Sequence, residues 1–242
     1  MQDASICILG ACRNCEPFLP AIFENFNSIS SWFKKTKIIL YENESTDGTK
    51  KLLSEWMASS KLDIRLIQET NLGKNYPIRT ERIAYIRNLL IDAVPRDFNY
   101  FFMVDLDDVF SPKVKKESFE SCFRYTGWDV MTAYSVKYGY YDAWALRIPG
   151  LLEEDCWNII FAYHEKGINI KDDFLANINS FMTSLKEPFP VSSAFNVGML
   201  AKVSILKPCC RYRGEKTCEH VAFQDCLRSH GAAIFYNPAF QL

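Results

Sequence analysis

Short apolar runs alternate with stretches of helical periodicity along the first half of this chain. Residues 5–10 (SICILG) form an apolar run closed by glycine, and after a polar loop the apolar residues of 17–28 recur at helical spacing. Residues 37–41 (KIILY) predict a second strand, 50–59 a helix and 62–68 (LDIRLIQ) a third strand. Strand, helix, strand, helix at this rhythm predicts a parallel sheet. The clearest helix spans 78–94, where Ile83, Ile86, Leu90, Ala93 and Val94 fall within one arc at about 100° per residue, and Pro95 ends it. Arg79 stands in its first turn, and Arg82 and Arg87 flank the apolar arc on opposite sides, where basic side chains snorkel to water as readily as they serve a site.

Residues 100–104 (YFFMV) then predict a fourth strand buried on both faces, as in sheets covered by helices, and it runs straight into Asp105, Asp107 and Asp108. The carboxylates therefore stand at the C-terminal end of a strand, the edge where open α/β sheets bind ligands. Side chains alternate along an extended chain, so Asp105 and Asp107 share a side and can share a hard cation, Mg²⁺ or Mn²⁺, that also binds substrate phosphates. The other polar strand end, Glu42 to Thr49, lies on the same edge if the strands are parallel. There Ser45, Thr46 and Asp47 are candidate caps for the following helix, and Glu42 and Asn43 are suited to hydrogen bonding a base or ribose.

Beyond residue 112 the pattern weakens. Residues 129–136 predict a strand, 139–147 are aromatic and polar, 151–181 mix helical fragments with loops, 191–201 suggest a strand and turn, 219–230 a helix and 232–236 a last strand. No repeat or linker divides the chain. With 242 residues, 48% hydrophobic, it can bury a sizeable core in a single domain. Lys+Arg 28 against Asp+Glu 29 gives a net charge of -1, so no basic field points to nucleic acid and an anionic ligand must be held locally.

There is no apolar stretch long enough for a membrane span and no leader-like N-terminus, which predicts a cytoplasmic chain. Nine cysteines scattered from Cys7 to Cys226 do not resemble a secreted disulfide framework, and reduced thiols are expected. Cys12 and Cys15 form a CxxC pair. Zinc would need a second pair, and Cys209, Cys210, Cys218 and Cys226 do not repeat the spacing, so loop thiols without a metal are expected.

YENESTDGTKKLL resembles the nucleotide-binding segment of GT-A glycosyltransferases, whose family 2 members carry an acidic pair followed by Gly-Ser-Thr-Asp-Gly-Thr. RIAYIRNLLIDAV followed by YFFMVDLDDVFSP resembles that superfamily's Ala-Arg-Asn helix and the strand leading to its DxD motif. These motifs come in the expected order within residues 1–112. Further on, YYDAWALR, VSSAFNVGMLAK and CEHVAFQDCLRSHGAAIFYNPAF resemble the fungal capsule-associated α-1,3-mannosyltransferase family, which has relatives in large DNA viruses. That family usually has Asn-Asp-Val where this chain has Asp-Leu-Asp-Asp-Val, and its members often carry a membrane anchor.

The resemblance implies a GT-A (Rossmann-like) single domain, α/β with a mostly parallel central sheet flanked by helices. Residues 1–112 would bind the nucleotide-sugar, and 113–242 would bind the acceptor and complete the catalytic site. The implied activity is metal-dependent transfer from a UDP- or GDP-sugar donor to a glycan, glycoconjugate or other hydroxyl acceptor. Glu42 matches the acidic residue at the base, with Asn43 beside it. Asp105 would meet the ribose or metal-bound water, and Asp107 would ligate Mn²⁺ or Mg²⁺. Arg79, Arg82 or Arg87 would neutralise diphosphate, with Arg87 at the family position. Asp142 and Trp144 would line the sugar or acceptor site, and Asn196 and Gly198 would let the chain approach the donor.

Glu219 is the implied general base or the residue facing the anomeric carbon, with Asp225 in reserve. His220 or His230 would complete the metal shell, and His164 has no assigned role. The capsule-associated resemblance implies retention with an α-product, and the family 2 resemblance implies inversion. The competing readings are a sugar-nucleotidyltransferase, disfavoured by the single glycine in GACRNCE, and a non-catalytic carbohydrate-binding protein on the same scaffold.

Overall fold

The computed structural model describes residues 1–242. Its first half alternates strand and helix: β1 (Ser5–Cys12), α1 (Leu19–Trp32), β2 (Lys35–Glu42), α2 (Thr49–Ser59), β3 (Asp63–Gln68), the single turn α3 (Leu72–Asn75), α4 (Arg79–Asp92) and β4 (Tyr100–Asp105). The second half holds α5 (Lys116–Phe123), β5 (Val130–Tyr134), α6 (Cys156–His164), α7 (Lys171–Ser184), β6 (Phe189–Pro190), β7 (Gly198–Lys202), α8 (Glu219–Ser229) and β8 (Ile234–Gln241). All eight strands form one sheet in the order β3-β2-β1-β4-β7-β5-β8-β6. Pairing is parallel from β3 through β4 and between β5 and β8, while β7 and β6 run antiparallel to their neighbours.

Both faces of the sheet are covered, which is why its strands read as continuous apolar runs. Ile6, Ile8, Ile38, Leu40, Phe102 and Val104 face one core, shared with α1, α2 and α5. Cys7, Leu9, Ile39, Tyr41, Phe101 and Met103 face the other, shared with α4 and α8. At roughly 1.5–3 kcal/mol for each fully buried large side chain, these two layers fix the strand positions.

Several expectations are corrected. Helix α5 escapes the sequence pattern because it is only two turns long and four of its eight residues are Ser or Glu beside Lys116; it is held by burying Phe119 and Cys122. The strand expected at 191–201 starts only at Gly198, and the last strand runs on to Gln241, past Pro238. Reduced thiols hold for seven cysteines, but Cys210 and Cys226 are joined in a disulfide.

Two glycines set strand spacing around the acidic motif. A Cβ on Gly10 would lie 2.6 Å from the Leu106 side chain, and one on Gly198 would lie 2.8 Å from the Met103 carbonyl oxygen. Leu106 therefore packs down over β1, and the close approach that Gly198 permits is of β7 to β4. Gly198→Ala must push β7 off β4 and should cost roughly 1–3 kcal/mol. Urea unfolding should show a lower midpoint with an unchanged slope; an unchanged midpoint would mean that the strand pair yields freely.

Candidate active site

Strand β1 pairs with β2 on one side and β4 on the other, so the chain reverses its winding between β1 and β4, the place where open sheets form ligand crevices. The register puts Ala11 opposite Asp105 and Cys12 opposite Glu42 at the C-terminal edge. A cleft of about 480 Å³ opens there. Of the candidate residues it collects Asn43, Arg79, Arg82, Arg87, Asp105, Asp107, Asp142, Trp144, Asn196, Glu219 and His220. It excludes Glu42, Gly198 and Asp225.

The loops after β1 and β2 are laced together at the rim. Ser45 Oγ accepts from Asn14 N at 2.9 Å, Asn14 Oδ1 accepts from Thr46 N at 2.8 Å, and Glu16 Oε2 accepts from Gly48 N at 2.7 Å. Thr49 Oγ1 accepts from Cys15 N at 2.8 Å, so the CxxC segment is a structural loop. Burial pushes the Cys15 thiol up to about 11 and Cys12 higher still, which keeps both as thiols. Arg13, between them, is exposed at the cleft wall. Its only signal in the sequence is a basic residue directly after the first strand, flanked by the CxxC cysteines.

Glu42 does not reach into this cleft. It is 1% exposed and organises its own loop, accepting from Ser45 N at 2.5 Å and from Gln68 Nε2 at 3.1 Å. It borders a neighbouring pocket with Gln68, Glu69 and the stacked rings of Tyr76 and Tyr85, 4.6 Å apart. Asn43 remains at the cleft, and its Oδ1 is buried with no hydrogen-bond partner. An orphaned buried acceptor is costly and marks a place where a ligand donor fits.

Asp105 and Asp107 both face the cleft, with Leu106 turned into the core between them. Their hydrogen bonds engage one oxygen each: Asp105 Oδ1 accepts from Arg87 Nη2 at 2.9 Å, and Asp107 Oδ1 from Val109 N at 3.2 Å. Burial pushes Asp105 up to about 7, against the opposing charge of Arg87 and with a further rise from Asp107. Asp107 is also raised, chiefly by burial. Two half-engaged carboxylates whose charged forms are both disfavoured fit a hard divalent cation bound by few protein ligands. The third carboxylate, Asp108, turns away to Lys137 Nζ at 2.8 Å and Tyr138 Oη at 2.5 Å.

Arg87 is the centre of the wall. Its Nη1 donates to Glu219 Oε1 at 2.6 Å and contacts His220 Nε2, its Nη2 holds Asp105, and its guanidinium lies 4.6 Å over the Phe195 ring. Its charge is thereby already shared by two carboxylates, while the side chain still lines the cleft. Arg79 is exposed in the cleft, whereas Arg82 is partly spent on the Tyr76 carbonyl at 2.8 Å. His220 is likewise corrected as a metal ligand. It is 2% exposed, stacked on Phe195 at 3.8 Å, and does not form a compact group of ligand atoms with Asp105 and Asp107. Burial and the neighbouring Arg87 hold its pKa well below the usual range, leaving a neutral imidazole.

Asn196 adopts φ 67, in the left-handed region, and its Oδ1 accepts from Tyr141 N at 3.0 Å and Asp142 N at 3.3 Å. Asp142 in turn accepts from Asn196 N and Ala145 N, each at 3.3 Å, and burial pushes it up to about 6. The two segments thus lock each other at the cleft wall, and Trp144 is fixed there by donating Nε1–H to Asp155 at 2.8 Å. On α8, Glu219 points into the cleft from the first turn. Asp225 lies six positions on and around the helix, exposed and 3.8 Å from Arg228, so it is corrected as a reserve base.

Removing Arg87 would leave Glu219 and Asp105 without their counter-charge. Arg87→Ala should destabilise by roughly 3–5 kcal/mol, and Arg87→Lys should recover only part because ammonium cannot fork between both carboxylates. Equilibrium unfolding of the two variants measures this, and a loss within error would refute the hub. A second outcome follows from Asp142. The native state keeps its proton up to about pH 6, while the unfolded chain loses it near pH 4. This group therefore makes stability fall as pH rises through that window, and Asp142→Asn should flatten that decline.

No protein-family model matches the chain, and no curated protein matches it in sequence. Solved structures do match its fold. A mannosyltransferase, PcManGT from Pyrobaculum calidifontis, in complex with GDP-Man and Mn²⁺, superposes with a TM-score of 0.53 at 11% identity, over 100% of this chain and 56% of that one. TarS 1-349 from S. aureus gives a TM-score of 0.51 at 17% identity, over 98% of this chain and 58% of that one. Glucosyl-3-phosphoglycerate synthase from Mycobacterium tuberculosis, with Mn²⁺, UDP and glucosyl-3-phosphoglycerate, gives 0.51 at 12% identity over 96% and 69%. This chain spans little more than half the length of the first two. The expected fold class stands: a mixed α/β domain with a mostly parallel sheet, the GT-A fold of glycosyltransferases.

Proposed function

We propose that this protein is a metal-dependent glycosyltransferase that moves a sugar from a UDP- or GDP-linked donor to a hydroxyl acceptor. The observation that carries the reading is the pair Asp105 and Asp107, each with a carboxylate oxygen outside its hydrogen bonds, at the winding reversal of a GT-A sheet. The fold likeness to structures holding GDP-Man with Mn²⁺ and UDP with Mn²⁺ supports it.

In this reading residues 1–112 hold the donor and 113–242 supply the acceptor side. Asp105 and Asp107 hold Mn²⁺ or Mg²⁺, which when bound stabilises the nucleoside diphosphate as it leaves. Asn43 Oδ1 accepts from the base or ribose, and Glu42 keeps that loop in shape. Arg79 and Arg13, both exposed at the cleft, neutralise diphosphate oxygens. Trp144 offers a flat apolar surface to the sugar, and Asp142 and Asn196 shape the wall beside it. Glu219 faces the reacting carbon or takes the acceptor's proton, and the Arg87 contact fixes where its carboxylate stands.

The purified protein, supplied with Mn²⁺ or Mg²⁺ and a panel of UDP- and GDP-sugars, should release one nucleoside diphosphate in a metal-dependent way. Asp107→Ala should lower the rate by roughly a hundredfold or more. Asn43→Ala should raise the donor KM about fivefold with kcat little changed, the signature of a single lost neutral hydrogen bond in uniform binding. Absence of both turnover and metal-dependent nucleotide binding would reject the reading in favour of a binding scaffold.

A further inference from the structure

At the other end of α8 from Glu219, Cys209, Cys210, Cys226 and His230 bring their ligand atoms within 4.8 Å of one another. Cys209 and Cys210 follow the short turn Val203–Ile205, while Cys226 and His230 are four positions apart and so share a face at the end of α8. Neither half of this set has a recognisable zinc spacing in sequence. The fold assembles three sulfurs and one imidazole, a common structural zinc set.

The histidine is already oriented as a ligand. Its Nδ1 lies 2.9 Å from the Cys226 carbonyl oxygen, to which Nδ1–H donates, and 3.2 Å from Ser229 Oγ. Nε2 is then the lone-pair nitrogen, and it lies 3.7 Å from Cys209 Sγ. Metal-bound imidazoles are fixed in this way by a carbonyl or carboxylate on the far nitrogen. In a tetrahedral site with ordinary zinc bond lengths the nitrogen-to-sulfur edge is about 3.6 Å. Cys210 Sγ and Cys226 Sγ, joined to each other here, stand 3.9 and 4.0 Å from Nδ1, so once reduced these two side chains have to swing towards Nε2 to complete the set.

We propose that Cys209, Cys210, Cys226 and His230 form a structural zinc site, distinct from the cation site at Asp105 and Asp107, in the reduced protein. The disulfide between Cys210 and Cys226 is the alternative, oxidised state of the same locus. A dithiol reductant supplies two electrons and two protons, breaks the sulfur–sulfur bond, leaves two thiols and itself becomes a disulfide. Zinc then binds three thiolates and the Nε2 lone pair, releasing the three thiol protons. The metal ties the 206–218 segment to α8. That segment carries Tyr212, which stacks on Phe223 of α8 at 4.2 Å and whose backbone pairs with the Asn88 side chain of α4. The site thus braces the wall behind Arg87 and Glu219.

The test loads the full chain with Zn²⁺ after reduction by a phosphine, removes excess metal and measures zinc by atomic emission, with Co²⁺ absorption as a second readout. The reduced protein should retain one zinc per chain and show the thiolate-to-cobalt charge-transfer band, and the oxidised protein should retain almost none. Cys209→Ser and His230→Gln, both at exposed positions, should each weaken retention by roughly tenfold or more, whereas Asp107→Ala should not. Failure of the reduced protein to retain zinc, or retention unchanged in both ligand variants, would overturn the proposal whether or not the protein transfers sugar.

Discussion

The cleft depends on one buried cation. Arg87 comes from the middle of α4, yet its guanidinium joins the end of β4 through Asp105 and the start of α8 through Glu219. Two carboxylates at the edge of a low-dielectric core repel each other, and a buried ion pair is tolerable only with good geometry and further hydrogen bonds. Arg87 meets this with a fork that reaches both acids, a neutral imidazole on Nη1 and an aromatic face beneath. His220 matters here because burial keeps it uncharged. A protonated imidazole beside the guanidinium would repel it.

Around this hub, backbone packing places the acids. Gly10 lets Leu106 sink against β1, and Gly198 lets β7 close on β4. The pleat does the rest, since burying Leu106 turns its two neighbours to the opposite side. The rim is held by polar lacing between the first two strand-end loops, where the side chains of Asn14, Glu16, Ser45 and Thr49 each accept from a backbone N–H of the facing loop. Asn43 stands apart within this network, its acceptor buried and unpaired.

Helix α8 connects two pieces of chemistry. Its first turn delivers Glu219 and His220 to the cleft, and its last turn delivers Cys226 and His230 to the cysteine cluster. Cys226 lies about 10 Å along the helix axis from Glu219. A constraint on the last turn is therefore carried by a rigid element to the residues that hold Arg87.

The sequence by itself determined the alternating half of the fold and the acidic strand end, because buried strands and amphipathic helices leave periodic traces and because alternation makes Asp105 and Asp107 neighbours. It also placed Glu219 at a helix start. It did not reveal α5, whose two turns are too short for a period, nor the left-handed Asn196 that locks the Asp142 loop. Tertiary structure alone decided which arginine is spent internally, since Arg79, Arg82 and Arg87 share one helix and differ in what packs against them. It removed Asp225 from the cleft by the helical rotation from Glu219, and Glu42 by turning its carboxylate into its own loop. It also gathered Cys209, Cys210, Cys226 and His230, residues whose proximity follows from the docking of a loop on a helix end. Local periodicity is written in neighbouring residues, whereas charge partners and ligand sets are made by distant ones, and only packing brings those together.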